Sequence, residues 1–195
     1  EVDSLLAVHN EAAPVTVQVN TCRCDVEAAL ALLEEEGAVC KRHPWLPGCL
    51  VLGATGNLEE TKAFQEGYIY VQDPAARLAV FAAGLRPGDQ VLDACAAPGG
   101  KSFSAAITME NQGELLSCDI YPHKIALIEA GAARLGLTCV KAQEMDAGKR
   151  QPQMENSFDV VIADVPCSGL GVIRKKPEIR YKDPKLMEGL PAVQG

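Results

Sequence analysis

Gln90-Val91-Leu92-Asp93-Ala94-Cys95-Ala96-Ala97-Pro98-Gly99-Gly100-Lys101-Ser102 is the stretch whose reading decides the fold. Four residues suited to a strand end on an aspartate, and a turn of small residues and two glycines leads into a helix. At such a turn backbone amides can approach a ligand closely. The chain then repeats the alternation of strand and helix. Residues 114–119 read as a second strand, followed by a helix from near Pro122 that carries Ile125, Ile128, Ala132 and Leu135 on one face and stops at Gly136. Residues 137–141 read as a third strand and residues 158–164 as a fourth. The nearly unbroken apolar middle of the fourth predicts a strand covered on both faces. This is the pattern of an α/β protein with a Rossmann-like sheet and crossover helices.

Each predicted strand has an aspartate at or just beyond its carboxyl end: Asp93, Asp119, Asp146 and Asp164. In open α/β sheets those ends converge on a crevice where the ligand binds. Three ligands compete for it. A dinucleotide fingerprint needs G-x-G-x-x-G, and only Gly99 and Gly100 are present. A phosphate-cradling loop needs G-x-x-x-x-G-K-[ST]; Gly100-Lys101-Ser102 fits its second half, but Cys95 holds the place of the first glycine and Pro98 lacks an amide donor. Clustered carboxylates repel a polyphosphate that has no metal ions. They suit S-adenosylmethionine, which carries a sulfonium, an ammonium and a ribose diol and no phosphate. Asp119, at the end of the second strand, stands where a ribose diol is held in nucleotide-binding folds.

Upstream, residues 14–70 read as a small α+β unit. Val15-Thr16-Val17-Gln18-Val19 alternates as a half-buried strand does. Asp25 is placed to cap a helix with Val26, Leu30 and Leu33 on one face and Gly37 as its stop. Cys49-Leu50-Val51-Leu52 is a further strand, ending in a turn over residues 53–57. Lys41-Arg42-His43-Pro44-Trp45 offers charge and an aromatic ring to RNA, yet a loop whose tryptophan plugs the core is the favoured expectation. Pro74 at a first helical position starts a helix through Phe81 that ends at Gly84.

The 195 residues suffice for one core, or for a small domain beside a medium one. No apolar run reaches the roughly 18 residues of a membrane span, and residues 1–10 lack the basic start and apolar centre of a secretory signal. A cytoplasmic protein without membrane contact is expected. The eight cysteines lack paired C-x-x-C spacing, so no metal is expected and reduced thiols are. The formal net charge of -8 argues against a coat for nucleic acid over the whole surface. One segment has the opposite sign: Arg174, Lys175, Lys176, Arg180, Lys182 and Lys185 face only Glu178 and Asp183.

Leu92 to Lys101 and Asp164-Val165-Pro166-Cys167-Ser168-Gly169-Leu170-Gly171 closely resemble the cofactor and catalytic motifs of the Sun/Fmu family of RNA cytosine-C5 methyltransferases, to which RsmB-like ribosomal RNA methyltransferases belong. The resemblance extends over nearly the whole chain. It implies a linker over residues 1–13, an RNA-recognition-like subdomain over 14–70 and a methyltransferase domain over 71–195 that binds S-adenosyl-L-methionine. By position it implies cofactor contacts from Cys95, Ala96, Ala97, Pro98, Gly99, Gly100, Lys101, Asp119, Asp146 and Asp164. It gives Asp164 and Lys101 a second task at the target base and Cys167 a part in product release, and it makes ribosomal RNA the expected partner of a monomer. Arg174, Lys175, Lys176 and Arg180 become the expected RNA phosphate contacts. The family's attacking cysteine stands in a Thr-Cys motif beyond the Pro-Cys motif, and none follows Cys167 before Gly195. The chain is therefore expected to be a fragment that binds cofactor without its main nucleophile. The competing readings are a noncatalytic RNA-binding module and a P-loop-like nucleotide hydrolase.

Overall fold

The computed structural model describes residues 2, 7, 8, 10–53 and 56–194. Part of the expected linker (residues 1, 3–6 and 9), residues 54 and 55 of the expected turn, and Gly195 lie outside the described residues. The chain divides into two compact units, residues 15–164 and residues 1–14 with 165–195.

The larger unit holds two sheets. The first is antiparallel, built from β1 (Val15–Val19), β2 (Cys40–Arg42), β3 (Cys49–Leu52) and β4 (Ile69–Val71) in the order β2-β3-β1-β4. With α1 (Val26–Glu35) between β1 and β2, and the single turn α2 (Lys62–Gln65) between β3 and β4, it is a βαββαβ unit of ferredoxin-like topology. α1 starts where Asp25 accepts from the amide of Ala28, and Gly37 ends it at φ +83°. Val17, Val19, Leu33, Leu50 and Ile69 form the core between this sheet and its helices.

The second sheet is parallel, in the order β7 (Val140–Glu144), β6 (Glu114–Asp119), β5 (Gln90–Asp93), β8 (Val160–Ile162). α3 (Pro74–Ala82) precedes it, while α4 (Gly100–Thr108) and α5 (Pro122–Leu135) make its crossovers. The chain steps outward from β5 to β6 and β7, then returns to place β8 on the other side of β5. The order therefore reverses between β5 and β8, which is the switch point where such sheets bind ligands.

Three expectations need correction. The third strand begins at Val140, three residues late, because Leu137 and Cys139 turn into the core before the pairing with β6 starts. The fourth covers three residues and is not enclosed: among the described residues β8 pairs with β5 alone, and Val161 is 57% exposed. Trp45 does not plug the core. It stays 60% exposed while its neighbour Leu46, at 4%, fills the apolar slot.

The two sheets are fastened to each other within their unit. Asn20 is fully buried and its Nδ2 donates to Gly67 O (2.9 Å) and to Leu135 O (2.8 Å) at the end of α5. Arg134 of α5 donates to the carbonyls of Phe64 and Ile69 and lies over the Phe64 ring. Arg77 of α3 reaches Ser104 and Thr108 on α4. The middle of the helix-free face of the antiparallel sheet, with Gln18 and Cys49 each 2% exposed and Tyr70 3%, is closed off. Tyr70 meets the Phe103 ring of α4 edge-on there.

No described helix is long and apolar enough to cross a membrane.

Candidate cofactor crevice

Sheet direction brings the predicted carboxylates to one end of the parallel sheet. Asp93 and Asp119 are the last residues of β5 and β6, while Asp146 and Asp164 follow two residues after β7 and β8. Their proximity has an electrostatic signature: the Cys95 thiol is held protonated by burial and then by the fields of Asp93, Asp119 and Asp164. A thiol so placed is a poor nucleophile.

Asp93 is the buried member of the group. One of its oxygens accepts from Ser102 Oγ (2.8 Å), which in turn accepts from Ser117 Oγ (2.8 Å), so a chain of hydroxyls links β5, α4 and β6. Its other oxygen, Oδ1, is buried and makes no hydrogen bond of good geometry within the protein. Burial pushes the Asp93 carboxyl up to about 6, against the opposing pull of Ser102, Lys101 and the Cys95 amide. Asp119, 7% exposed, accepts from the amide of Tyr121 at 3.2 Å and faces Lys124 Nζ at 3.6 Å, in both cases through Oδ1. Ile120 and Tyr121 just beyond it are about half exposed, a surface that can pack against a flat ring. Asp164 pairs with Lys101 Nζ at 2.5 Å on the solvent side. Asp146 accepts from Gly148 N and faces Lys149 at 3.2 Å, contacts that hold its carboxyl below the usual range, with the bond to Lys149 the larger.

The turn between β5 and α4 is committed inward. Ala94 N donates to Ile162 O, Ala96 N to Cys118 O and Gly99 N to Ala96 O, the first two tying the turn to the neighbouring strands. Gln72 Nε2 holds Gly100 O at 2.8 Å from the side of the small sheet. Gly99 stands at φ +112°, and a Cβ there would lie 2.3 Å from the Phe103 ring. A Cβ on Gly131 of α5 would meet the tip of the same ring at 2.4 Å. Phe103 thus packs closely on two glycines, which explains a glycine in the middle of α5.

Several functional neighbours lie outside the sequence reading. Ser102, Ser117 and Gln72 support the turn through contacts across the sheet, and no local motif marks them. Two Thr-Cys pairs occur in the chain, at Thr21-Cys22 and Thr138-Cys139. Cys139 lies just before β7 and its carbonyl accepts from Leu115 N, at the amino end of the sheet and away from the crevice. Cys22 follows β1 in the small sheet and is bonded to the carbonyl of Ile107. Burial raises both thiols.

In the smaller unit Cys167 is exposed, and short 3₁₀ turns cover Leu170–Val172, Pro177–Tyr181 and Pro184–Met187. Of the predicted RNA contacts, Lys175, Lys176 and Arg180 are exposed there. Arg174 is half-buried and turned inward: its guanidinium donates to the carbonyls of Glu11 and Ala12, each at 3.2 Å, and faces the Glu11 carboxylate at 3.6 Å.

A parallel sheet with carboxylates and a glycine turn at its switch point defines a Rossmann-like methyltransferase domain. The chain belongs to the family of 16S rRNA methyltransferases RsmB/F, which it matches over residues 80–194; residues 1–59 match the ferredoxin-like domain of the same group. It is 40% identical over 167 residues to a probable ribosomal RNA small subunit methyltransferase B of Bacillus subtilis, covering 85% of this chain and 37% of that one. The crystal structure of PH0851 superposes with a TM-score of 0.91 at 30% identity, over 99% of this chain and 44% of the other. NSun6 from Pyrococcus horikoshii, solved with SFG, an analogue of S-adenosylmethionine, shares the fold with a TM-score of 0.88 at 21% identity, over 98% of this chain and 73% of the other. The chain thus spans about two fifths of the curated relatives it matches. S-adenosylmethionine is the cofactor of this family.

Proposed function

We propose that residues 71–194 hold S-adenosylmethionine at the carboxyl ends of β5, β6, β7 and β8, and that the activity served is methylation of carbon 5 of a cytosine in ribosomal RNA. The observation that carries the reading is the set of four aspartates at the carboxyl ends of the parallel strands, beside a glycine turn at the switch point. These residues fit the cofactor. Asp93 Oδ1 is a buried acceptor without a hydrogen bond of good geometry, suited to an ammonium group. Asp119 uses only Oδ1 for its neighbours and leaves Oδ2 for a ribose hydroxyl. Ile120 and Tyr121 offer apolar surface to the adenine, with Asp146 at its edge. A polyphosphate fits poorly, because the amides of Ala94, Ala96 and Gly99 are already spent within the protein.

When bound, the cofactor supplies an electrophilic methyl group on a sulfonium. Carbon 5 of cytosine is a weak nucleophile, so a thiolate must add to carbon 6 and push electron density onto carbon 5. After methyl transfer a base takes the proton from carbon 5, the carbon–sulfur bond at carbon 6 breaks and the thiolate is regenerated. Neither Cys95 nor Cys139 suits the attack: the first is held as a thiol among carboxylates and the second lies at the opposite end of the sheet. In this reading Asp164, which pairs with Lys101, hydrogen-bonds the ring nitrogen, and Cys167, three residues on, is the thiol that serves product release. Lys175, Lys176 and Arg180 are the phosphate contacts of this reading, with Arg174 as a brace for the same segment.

Calorimetry tests the reading. S-adenosylmethionine should bind at one site, and Asp119→Ala should weaken it by ten-fold or more, as expected for a lost charged hydrogen bond. Saturable binding of magnesium-ATP without binding of S-adenosylmethionine would transfer the chain to the nucleotide hydrolases. RNA binding without cofactor binding would mark a noncatalytic module.

A further inference from the structure

The β2–β3 hairpin carries a surface that the crevice does not use. Residues 37–58 contain no aspartate or glutamate, in a chain whose net charge is -8, and they include Lys41, Arg42 and His43. Strand alternation separates these side chains. Cys40 and Arg42 turn toward α1, where Arg42 is paired with Glu27 and Cys40 lies 3.9 Å from Leu30 O. Lys41 and His43 belong to the opposite face, and Lys41 is exposed. The loop that follows is held in shape rather than loose. His43 N donates to Cys49 O (2.8 Å), Val19 N to Gly48 O (2.7 Å), and Leu46 is anchored in the core. On this support Trp45 stands 60% exposed, fixed edge-to-face against His43 at 4.6 Å between ring centres.

A large aromatic ring kept in solvent by a hydrogen-bonded loop, four residues after a lysine and far from any acidic residue in sequence, has the chemistry of a stacking platform for an unpaired base. Preorganisation lowers the ordering cost of binding. Tyr70, the aromatic residue within the described strands of the antiparallel sheet, is 3% exposed on the helix-free face and meets Phe103. We infer that the β2–β3 hairpin is an RNA contact in its own right: Trp45 stacks on an unpaired base of a single-stranded segment and Lys41 meets the adjoining phosphate. The inference rests on RNA being the substrate and adds to that reading where the small sheet grips it.

The chain's single tryptophan is Trp45, so its emission reports on this loop alone. Titration with a labelled single-stranded RNA oligonucleotide of mixed sequence, followed by both label anisotropy and tryptophan emission, should show binding and quenching with one midpoint. Trp45→Ala should weaken binding at least about five-fold, Trp45→Phe should restore most of it, and Lys41→Gln should lower the slope of log affinity against log salt by about 1. Circular dichroism of the exposed-site variants should match the parent. Unchanged affinity in Trp45→Ala, emission that does not respond to bound RNA, the absence of RNA binding, or emission that changes only with protein concentration would each overturn the inference. Loss of RNA binding in Lys175→Gln/Lys176→Gln/Arg180→Gln with no effect at Trp45 would do so as well, while leaving the methyltransferase reading in place. Failure of that reading shows separately, as missing S-adenosylmethionine binding in calorimetry.

Discussion

Asn20 in the antiparallel sheet and Asp93 in the parallel one are buried polar residues put to opposite ends, although the buried Gln18 side chain shows that unpartnered groups occur in the small sheet too. In the antiparallel sheet Thr16 donates to Gln72 O and Asn20 to two carbonyls, so these acceptors are satisfied and the result is adhesion. In the parallel sheet Asp93 keeps one oxygen unsatisfied and a raised pKa, an arrangement that costs stability. Asn20 completes its bonds and holds the sheets together, whereas Asp93, left incomplete at a strand end, is the group the proposed cofactor site would use.

Three experiments probe this contrast. The largest effect is expected at the glycine turn of the parallel sheet. Gly99→Ala imposes a side chain at φ +112° and drives a Cβ into the Phe103 ring, which is already packed against Gly131, so chemical denaturation should show a loss of about 3 kcal/mol or more, with cofactor binding abolished. Next comes the ligand-ready carboxylate. Because the folded Asp93 holds its proton to about pH 6 and the unfolded one releases it near pH 4, the folded state binds more protons in between, and stability must fall as pH rises through that window. The fall should be on the order of 2–3 kcal/mol, and Asp93→Asn should remove it from the stability-against-pH curve. A rise over the same interval would reverse the assignment. Smallest is the adhesive side. Asn20→Ala strands two carbonyls and should cost about 2 kcal/mol by denaturation, with cofactor affinity nearly unchanged. A large drop in affinity would mean that the two sheets are coupled at the crevice.

Much of the parallel sheet could be read from the chain because its signals are local. β5 and β6 end on aspartates that close apolar runs, Pro122 and Gly136 bracket α5, and the topology then forces the strand ends together. What escaped was decided over distance. Asn20 meets Leu135 across 115 residues, and Gln72 meets Gly100 across 28, so neither has a motif. Trp45 and Leu46 are adjacent apolar residues, and which of them enters the core depends on the direction of the loop rather than on hydrophobicity. Arg174 looked like its basic neighbours until the residues around Glu11 claimed its guanidinium. β8 promised burial by composition but, among the described residues, is paired on one side only.

The stitching of Asn20 and Arg134 carries a mechanical implication. To swing the small sheet and its hairpin away from the crevice, the protein would have to strip three backbone carbonyls, those of Leu135, Phe64 and Ile69, of the donors that cross between the sheets. The spacing between Trp45 and the aspartates is therefore cast when the chain folds, and a strand of RNA laid across both would be measured against a ruler that does not stretch.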